Sequence, residues 1–319
     1  MSVAGTLPSH AQTSDSAANS YPSRPIRLIV PFSPGSSTND ILGRGIAMRL
    51  TTVLGQQVVV DNRAGAGGTS GSEIVAKAQT DCYTLLVAIA GPLTVAPAVY
   101  KHIGYDATRD FAAVARIATI PYVMVVTNSL PANNVKELIA LAKAKPRGIN
   151  FASSGVGSSP HLCGELFNTA AGVDMVHVPY KGAGVATTDI LSGQIQMFCS
   201  GLTALNALIK AGRMRPIGMA TLKRSSLMPD IPTINEQGLK DFEVTSWTGI
   251  VAPAKTPRAI VQKLYDALAR ITQTDDMKQF VQQQGADMAL LGPEAFAAEI
   301  KNDIAKWGKL VKAAKIAPE

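Results

Sequence analysis

The sequence predicts an α/β protein made of two units with a similar pattern. The chain has 319 residues, enough for two domains of ordinary size. Short β-branched apolar segments alternate with segments of helical periodicity, first up to residue 122 and again over residues 123–245. Such alternation is typical of a parallel sheet with helices on both faces. We expect one lobe from residues 21–122 and 246–319, and a second lobe from residues 123–245.

The first unit begins with a strand over 26–30 and the loop PFSPGSSTND at 31–40. A helix follows, because apolar residues recur at helical spacing: Leu42, Ile46, Leu50 and Val53. The next elements are a strand at 57–60, a glycine-rich loop and helix at 62–78, and a strand at 84–89 that ends in Ala90-Gly91-Pro92. In such sheets, ligands bind beyond the carboxyl ends of the strands, where all three loops lie.

The second unit repeats this order. Its first strand, at 122–127, lies between Pro121 and Pro131, and such an extended segment can cross between domains. Further strands are expected near 149–151, 175–178, 195–199 and 217–220, with helices over 135–142, from 160, and over 204–211. A strand at 244–253 then returns toward the first unit, and two helices follow, one from Pro257 and one over 296–314.

The stretch FASSGVGSSPHLCGEL at 151–166 carries the functional argument. A Ser/Gly loop at 153–159 joins an apolar strand to a helix that Ser159 caps and Pro160 opens. First-turn N–H groups lack intrahelical partners and the helix dipole favours negative charge, so this loop can bind an anion. An ordinary turn has the same pattern, but the loop at 31–40 repeats the design. These two anion loops suit a ligand with an anionic group at each end.

The composition is that of a folded protein with an excess of positive charge. Apolar residues make up 46% of the chain, charged residues 17%, and the formal net charge is +7. This charge favours anionic partners. Nucleic acid is a poor candidate, because the basic residues are scattered and aromatic residues make up only 5%. No apolar run approaches the roughly 18 residues that a membrane span needs.

The N-terminus and the cysteines bear on localisation. Residues 1–20 are rich in Ser and Ala, and Ser9-His10-Ala11 resembles the end of a secretory signal without its basic and apolar regions. We expect an exported protein whose signal peptide is truncated in this sequence, with a disordered tail as the alternative. Three cysteines leave room for one disulfide, but we expect all of them to be small packing residues: Cys82, Cys163 and Cys199.

The common catalytic and metal motifs are absent from the sequence. None of the four histidines stands at metal-ligand spacing, and there is no Walker A or G-x-S-x-G motif. Ser154 and His161 are conceivable as a nucleophile and its base, but no acid is evident to orient them. We therefore expect no enzyme activity, no metal and no cofactor.

Several collinear motifs resemble those of one receptor family. They include YPSRPIRLIVPFSPG at 21–35, VDNRAGAGG at 60–68, ASSGVGSSPHL at 152–162, VHVPYKGAG at 176–184 and SWTGIVAPAKTP at 246–257. Over residues 21–318 the chain resembles the Bug family of solute-binding receptors, the extracytoplasmic component of tripartite tricarboxylate transporters. The resemblance implies a periplasmic two-domain Venus flytrap of type II-like fold. Each lobe would be a mostly parallel sheet flanked by helices, with the ligand in the cleft between them.

The resemblance also implies a set of ligand-binding residues. Backbone groups and hydroxyls of the anion loops typically hold a ligand carboxylate, and aromatic side chains can cover the ligand body. Carried over by position, the expected ligand-binding residues are Phe32, Gly35, Ser36, Ser37, Thr38, Asp40, Ala90, Ser153, Ser154, Gly155, Gly157, Ser158, His161, Tyr180, Cys199 and Trp247. Lys181, next to Tyr180, is as well explained by a solvated turn.

Two departures from the family pattern bear on the ligand. The turn after Ile89 often carries a hydroxyl and a histidine, where this chain has Ala90-Gly91-Pro92. The strand that usually closes with aspartate here ends in Cys199-Ser200. Loss of the aspartate leaves few carboxylates to pair with an ammonium group, so we expect a carboxylate without an amino group, either aromatic or aliphatic.

The expected function is that of a monomeric receptor. It would close around a small mono-, di- or tricarboxylate and deliver it to an integral-membrane permease. Closure follows if the ligand binds the closed state more tightly than the open one. Two alternatives stay open at this point: an accessory that presents its ligand to a membrane sensor kinase, and an uncharacterised hydrolase.

Overall fold

We describe the protein from a computed structural model, which covers residues 20–34, 38–156, 158–180, 183–314 and 316. Within these residues, a mixed sheet of ten strands is flanked by helices. This architecture confirms the predicted α/β class. No helix in that part of the chain is long and apolar enough to span a membrane.

Strands and helices are numbered in chain order. The strands are β1 (Ile26–Val30), β2 (Val58–Asn62), β3 (Thr84–Ile89), β4 (Phe111–Val126), β5 (Asn150–Ser153), β6 (Val176–Pro179), β7 (Met197–Gly201), β8 (Arg215–Met219), β9 (Thr245–Pro253) and β10 (Asp287–Leu291). The helices are α1 (Thr38–Leu54), α2 (Thr69–Ala76), α3 (Ala96–Val99), α4 (Val135–Ala144), α5 (Ser159–Ala171), α6 (Ala183–Ser192), α7 (Leu202–Lys210), α8 (Arg258–Gln273), α9 (Asp275–Gln283) and α10 (Pro293–Ala313). A π-helical turn at Gly91–Val95 leads directly into α3.

The sheet is parallel in its outer parts and antiparallel at its centre. Its order is β2-β1-β3-β9-β4-β7-β5-β6, with β8 and β10 also paired to β4. β1 runs parallel to β2 and β3, and β5 runs parallel to β6 and β7, as the alternating pattern predicts. β9 runs antiparallel to β3 and β4, because it returns from the second unit into the first.

β4 is one strand of 16 residues, much longer than the strand at 122–127 that the sequence predicts. Residues 111–121 pair with β9, and residues 122–126 pair with β7 and β8. Pro121 occupies the last pair with β9, opposite Thr245, so the N–H that it lacks falls where this ladder ends. The division into lobes near residues 122 and 245 stays a prediction.

Three elements, α3, α9 and β10, fall outside the predicted set. α9 buries only two of its side chains, Met277 and Val281, and most of its other residues are polar, so its apolar signal is short. The Thr274 side chain caps it by accepting a hydrogen bond from the Met277 N–H (3.2 Å). β10 is half-buried and pairs with β4. The two segments are far apart in the chain, so no local sequence pattern predicts their contact.

A disulfide joins Cys163 of α5 to Cys199 of β7. The expectation that all three cysteines are packing residues is therefore wrong for this pair. Their sequence separation of 36 does not reveal that α5 lies over β7, where the two Cα atoms are 6.1 Å apart. Cys82 is unpaired and buried, and burial raises the pKa of its thiol to about 11.

Candidate functional site

A cleft of about 520 Å³ lies where the ends of several strands meet. Phe32 follows β1, Ile89 ends β3 and Ser154 follows β5, and all three line the cleft. Tyr122 of β4 and Ser246 of β9 line it from the centre of the sheet. The carboxyl ends of β1, β3 and β5 thus converge on one site, where parallel sheets usually bind ligands.

The anion loop that precedes α5, the second in the chain, and the first turn of that helix form one wall of the cleft. Ser158, rather than the predicted Ser159, caps the helix: its Oγ accepts a hydrogen bond from the His161 N–H (3.4 Å). The same hydroxyl donates to the Gly155 carbonyl (2.7 Å). Gly155 has a φ of +123°, which other residues rarely adopt, so glycine is required for this turn. The helix dipole and the nearby hydroxyls suit this wall to an anion.

Ser153 lies beneath this loop and is fully buried. Its Oγ accepts a hydrogen bond from the Gly155 N–H (3.1 Å) and donates one to the Gly155 carbonyl (3.0 Å). His177 Nε2 lies 2.6 Å from the same oxygen. The donor of this third bond is either Nε2–H or the Ser153 hydroxyl, according to the tautomer of His177. Ser153 therefore fixes the shape of the loop and does not line the cleft.

His161 and His177 are stacked beneath the second anion loop. Their ring centroids are 3.8 Å apart, with an interplanar angle of 18°. Burial lowers the pKa of His161 to about 3, with a smaller contribution from the neighbouring His177. Burial also lowers the pKa of His177 to about 4. Both rings are therefore neutral at neutral pH, and His161, predicted to contact the ligand, supports the loop from within.

The wall from the first unit is apolar. It consists of Phe32, which follows β1, and of one side of the π-helical turn and α3: Pro92, Ala96, Val99 and Tyr100. The sequence predicts only a turn at 90–92, whereas a helix begins there and continues through α3. A Cβ atom on Gly91 would meet no heavy atom within 4 Å, so open space adjoins this residue.

Neutral polar groups lie between the two walls. Asn39 Oδ1 accepts a hydrogen bond from Thr248 Oγ1 (2.5 Å), which orients the amide N–H groups away from Thr248. Tyr122 is hydrogen-bonded to the Ser159 side chain, and burial raises the pKa of the phenol, so it stays neutral. Of the described residues that line the cleft, none has a charged side chain. Among the described residues, dipoles and hydroxyls are therefore the groups that can recognise a charged ligand.

The structure brings together some of the predicted ligand-binding residues. Those that line the cleft are Phe32, Ser154, Gly155 and Ser158. Several others lie outside the described residues: Gly35, Ser36, Ser37 and Gly157. Lys181, which was not among the expected ligand-binding residues, also lies outside them. Thr38, which begins α1, and Ala90, which is buried after β3, are described but do not line the cleft.

Three further predicted residues have structural partners away from the cleft. Asp40 is fully buried and accepts hydrogen bonds from Asn62 Nδ2 (2.7 Å) and Arg44 Nε (3.1 Å), so it fastens the start of α1. The Tyr180 hydroxyl donates to Asp189 of α6 (2.6 Å). Cys199 is buried in the disulfide described above.

Trp247, predicted to border the cleft, is directed to the other face of the sheet. Its ring packs edge-on against Phe296 of α10, and its Nε1 donates to Asp303 (3.0 Å). Successive side chains of a strand alternate between faces, so the cleft receives the preceding residue, Ser246. Four residues line the cleft although the sequence did not predict them: Asn39, Tyr100, Tyr122 and Ser246. Alternation along the strands was the available signal for Ser246 and Tyr122.

Comparison with solved structures defines the class of protein. The structure of R. palustris Rpa4515 with adipate is 36% identical with a TM-score of 0.83, covering 94% of this chain and 100% of that chain. The periplasmic binding protein BugD is 34% identical with a TM-score of 0.78, covering 94% and 100%. MatC from Rhodopseudomonas palustris with bound malate is 30% identical with a TM-score of 0.77, covering 91% and 100%. The fold is that of a periplasmic solute-binding protein, a receptor rather than an enzyme.

Sequence comparison then gives the family. Protein BugT of Bordetella pertussis is 34% identical over 297 residues, covering 93% of this chain and 91% of BugT. Residues 42–316 match the model of the tripartite tricarboxylate transporter family receptor. The chain belongs to this receptor family, which confirms the resemblance to Bug receptors and the two-lobe class of fold.

Proposed function

We propose that this receptor binds a small carboxylate in the cleft and delivers it to the membrane permease of a tripartite transporter. The observation that carries the proposal is the loop before α5 together with the N-terminus of that helix, which brings Ser154, Gly155 and Ser158 to a cleft without charged lining residues among those described. A carboxylate accepts hydrogen bonds from hydroxyls and N–H groups and is favoured by a helix N-terminus.

The similar proteins and the chemistry of the cleft support the same ligand class. The two ligands named in those structures, adipate and malate, are both carboxylates. An ammonium group would meet no carboxylate among the described lining residues. We therefore propose a carboxylate without an amino group.

The proposed receptor acts by closure of two lobes in the periplasm. One lobe comprises residues 21–122 and 246–319, and the other comprises residues 123–245. The ligand contacts the wall from β1 and α3 in one lobe and the wall at α5 in the other. A ligand that bridges both walls binds the closed state more tightly and shifts the population toward it.

A binding screen tests the ligand class. Refolded, ligand-stripped protein is melted with mono-, di- and tricarboxylates and with amino acids. A ligand at about 100 times its Kd adds roughly 2.7 kcal/mol of stability, which raises the Tm measurably. Absence of any shift with carboxylates would contradict the proposal.

A cleft variant and an uptake assay test the site and the delivery step. Ser154→Tyr should abolish binding of the ligand identified, whereas Ser192→Tyr, at an exposed position in α6, should not. Unchanged affinity in Ser154→Tyr would show that the site is elsewhere.

A strain without the receptor gene should lose uptake of that carboxylate and regain it only with a binding-competent receptor. Normal uptake in this strain would favour a sensory role.

A further inference from the structure

The two walls of the cleft differ in chemistry, and the proposed carboxylate contacts use only one of them. The wall at α5 offers hydroxyls and N–H groups. The other wall offers apolar surface from Phe32, Pro92, Val99 and Tyr100. A ligand held at α5 by its carboxylate therefore places the remainder of its body against apolar groups.

The position of Tyr100 on this wall is fixed by its surroundings. The π-helical turn and α3 end at Tyr100, where the backbone becomes extended. Gly67, at a φ of +64°, lies so close that a Cβ atom there would be 3.1 Å from the Tyr100 hydroxyl. The ring thus lies between the end of α3 and the loop before α2. A side chain placed in this way can discriminate between ligand bodies.

The described residues of this wall carry no charge that would balance a second anionic group on the ligand. The described lining residues include no cation, and the neutral Asn39 and Ser246 replace only part of the hydration that a second carboxylate would lose. Arg44, the basic residue just after the first anion loop, is paired with Asp40 and does not line the cleft. An alkyl or aryl group, in contrast, gains from leaving water at the same place.

We infer that the cleft selects a carboxylate with one anionic end and an uncharged alkyl or aryl body, and that Tyr100 sets this preference. The inference rests on the function proposed above and narrows it. The two anion loops on their own suited an anionic group at each end. Among the described lining residues, the apolar surface of the first unit disfavours the second charge.

A matched pair of probes tests this selection. Hexanoate and adipate have the same chain length and differ in one end, a methyl group against a carboxylate. Isothermal titration of the ligand-stripped full chain should give hexanoate or benzoate an affinity about tenfold or more above that of adipate and citrate, the factor expected for burying one uncompensated charge or a few methylene groups. Equal or tighter binding of adipate overturns the inference and leaves the proposed function standing. Absence of binding by every carboxylate overturns both.

Two variants at one position test the assignment to Tyr100. Tyr100→Arg places a cation at the apolar wall and should reverse the preference, so that adipate binds more tightly than hexanoate. Tyr100→Phe keeps the ring and should retain the wild-type order. Melting curves establish that both variants are folded. A hexanoate-to-adipate ratio unchanged in a folded Tyr100→Arg variant overturns the role of Tyr100.

Discussion

His177 Nε2 lies 2.6 Å from the Ser153 hydroxyl oxygen, and that hydroxyl binds both backbone groups of Gly155. This relationship connects a buried, neutral imidazole to the loop that forms one wall of the cleft. The geometry of the loop therefore depends on side chains that a ligand does not touch.

Removal of the Ser153 hydroxyl should weaken both the fold and ligand binding. Ser153→Ala leaves the Gly155 N–H without its acceptor and His177 Nε2 without its partner, a loss of about 1–3 kcal/mol in the free energy of unfolding. Carboxylate affinity should fall about tenfold, because the loop loses the Ser153 hydrogen bonds that hold its shape. Urea denaturation and isothermal titration measure the two effects.

A double-mutant cycle separates this contact from general damage. Ser153→Ala and His177→Phe should show a coupling energy of about 1 kcal/mol. His102→Phe, at an exposed histidine, is the control and should change neither quantity. Additive effects of the two substitutions would contradict the proposed dependence of the loop on His177.

The two stacked histidines should make the protein less stable as the pH falls. Their pKa values in the fold are about 3 for His161 and about 4 for His177, below the usual 6.5 that applies to the unfolded chain. Between about pH 6.5 and pH 4 the unfolded chain thus binds more protons, and each histidine contributes at most about 1.4 kcal/mol of destabilisation per pH unit.

Urea denaturation across this pH range checks the effect. The His161→Phe/His177→Phe variant should have a flatter dependence of stability on pH than the wild type, whatever its absolute stability. Parallel curves for the two proteins would show that these histidines do not titrate as described.

Loss of the disulfide should cost several kcal/mol of stability. Cys163 and Cys199 are separated by 36 residues, and closing a loop of that length stabilises a fold by about 3–4 kcal/mol through the unfolded state. The Cys163→Ala/Cys199→Ala variant should therefore unfold at lower urea concentration. Reductant should destabilise the wild type similarly and leave the variant unchanged. Wild-type stability that persists after alkylation of both thiols would argue against this contribution.

Filling the open space at Gly91 should block ligand entry without harming the fold. Gly91→Leu adds a side chain at a position where a Cβ meets nothing within 4 Å and where the residue lines the cleft. Affinity should fall about a hundredfold, because the ligand body and the leucine compete for the same volume. Gly308→Leu is the matched control, since Gly308 of α10 also has open space around its Cβ but lies outside the cleft. Equal affinities in the two variants would place the ligand elsewhere.

Sequence patterns predicted the parts of the site that are formed by residues close together in the chain. Phe32, Ser154 and Ser158 follow from a strand, a Ser/Gly loop and a helix N-terminus in succession, and each lines the cleft. Trp247 lies on the face of the sheet opposite the cleft, which the sequence did not predict. The face on which a strand residue lies depends on the register with the neighbouring strand, here β4. The Cys163–Cys199 pair likewise depends on how α5 lies over β7, which no spacing records.

The same distinction applies to the fold. The outer parallel strands arise from units that are contiguous in sequence, and the alternation of strand and helix predicts them. The central antiparallel strands pair segments far apart in the chain, such as residues 111–121 with 245–253. Arg116 and Pro121 interrupt the apolar pattern of β4, yet the strand continues because β9 and β10 supply partners on both sides of residues 116–119.

The length of β4 determines whether the two halves of this receptor can fold separately. A single strand serves both halves of the sheet, with one end in the ladder with β9 and the other in the ladder with β7. A cut near Pro121 would leave each fragment with an incomplete sheet and an unpaired edge. The two proposed lobes should therefore melt as one cooperative unit, and neither should fold when expressed alone.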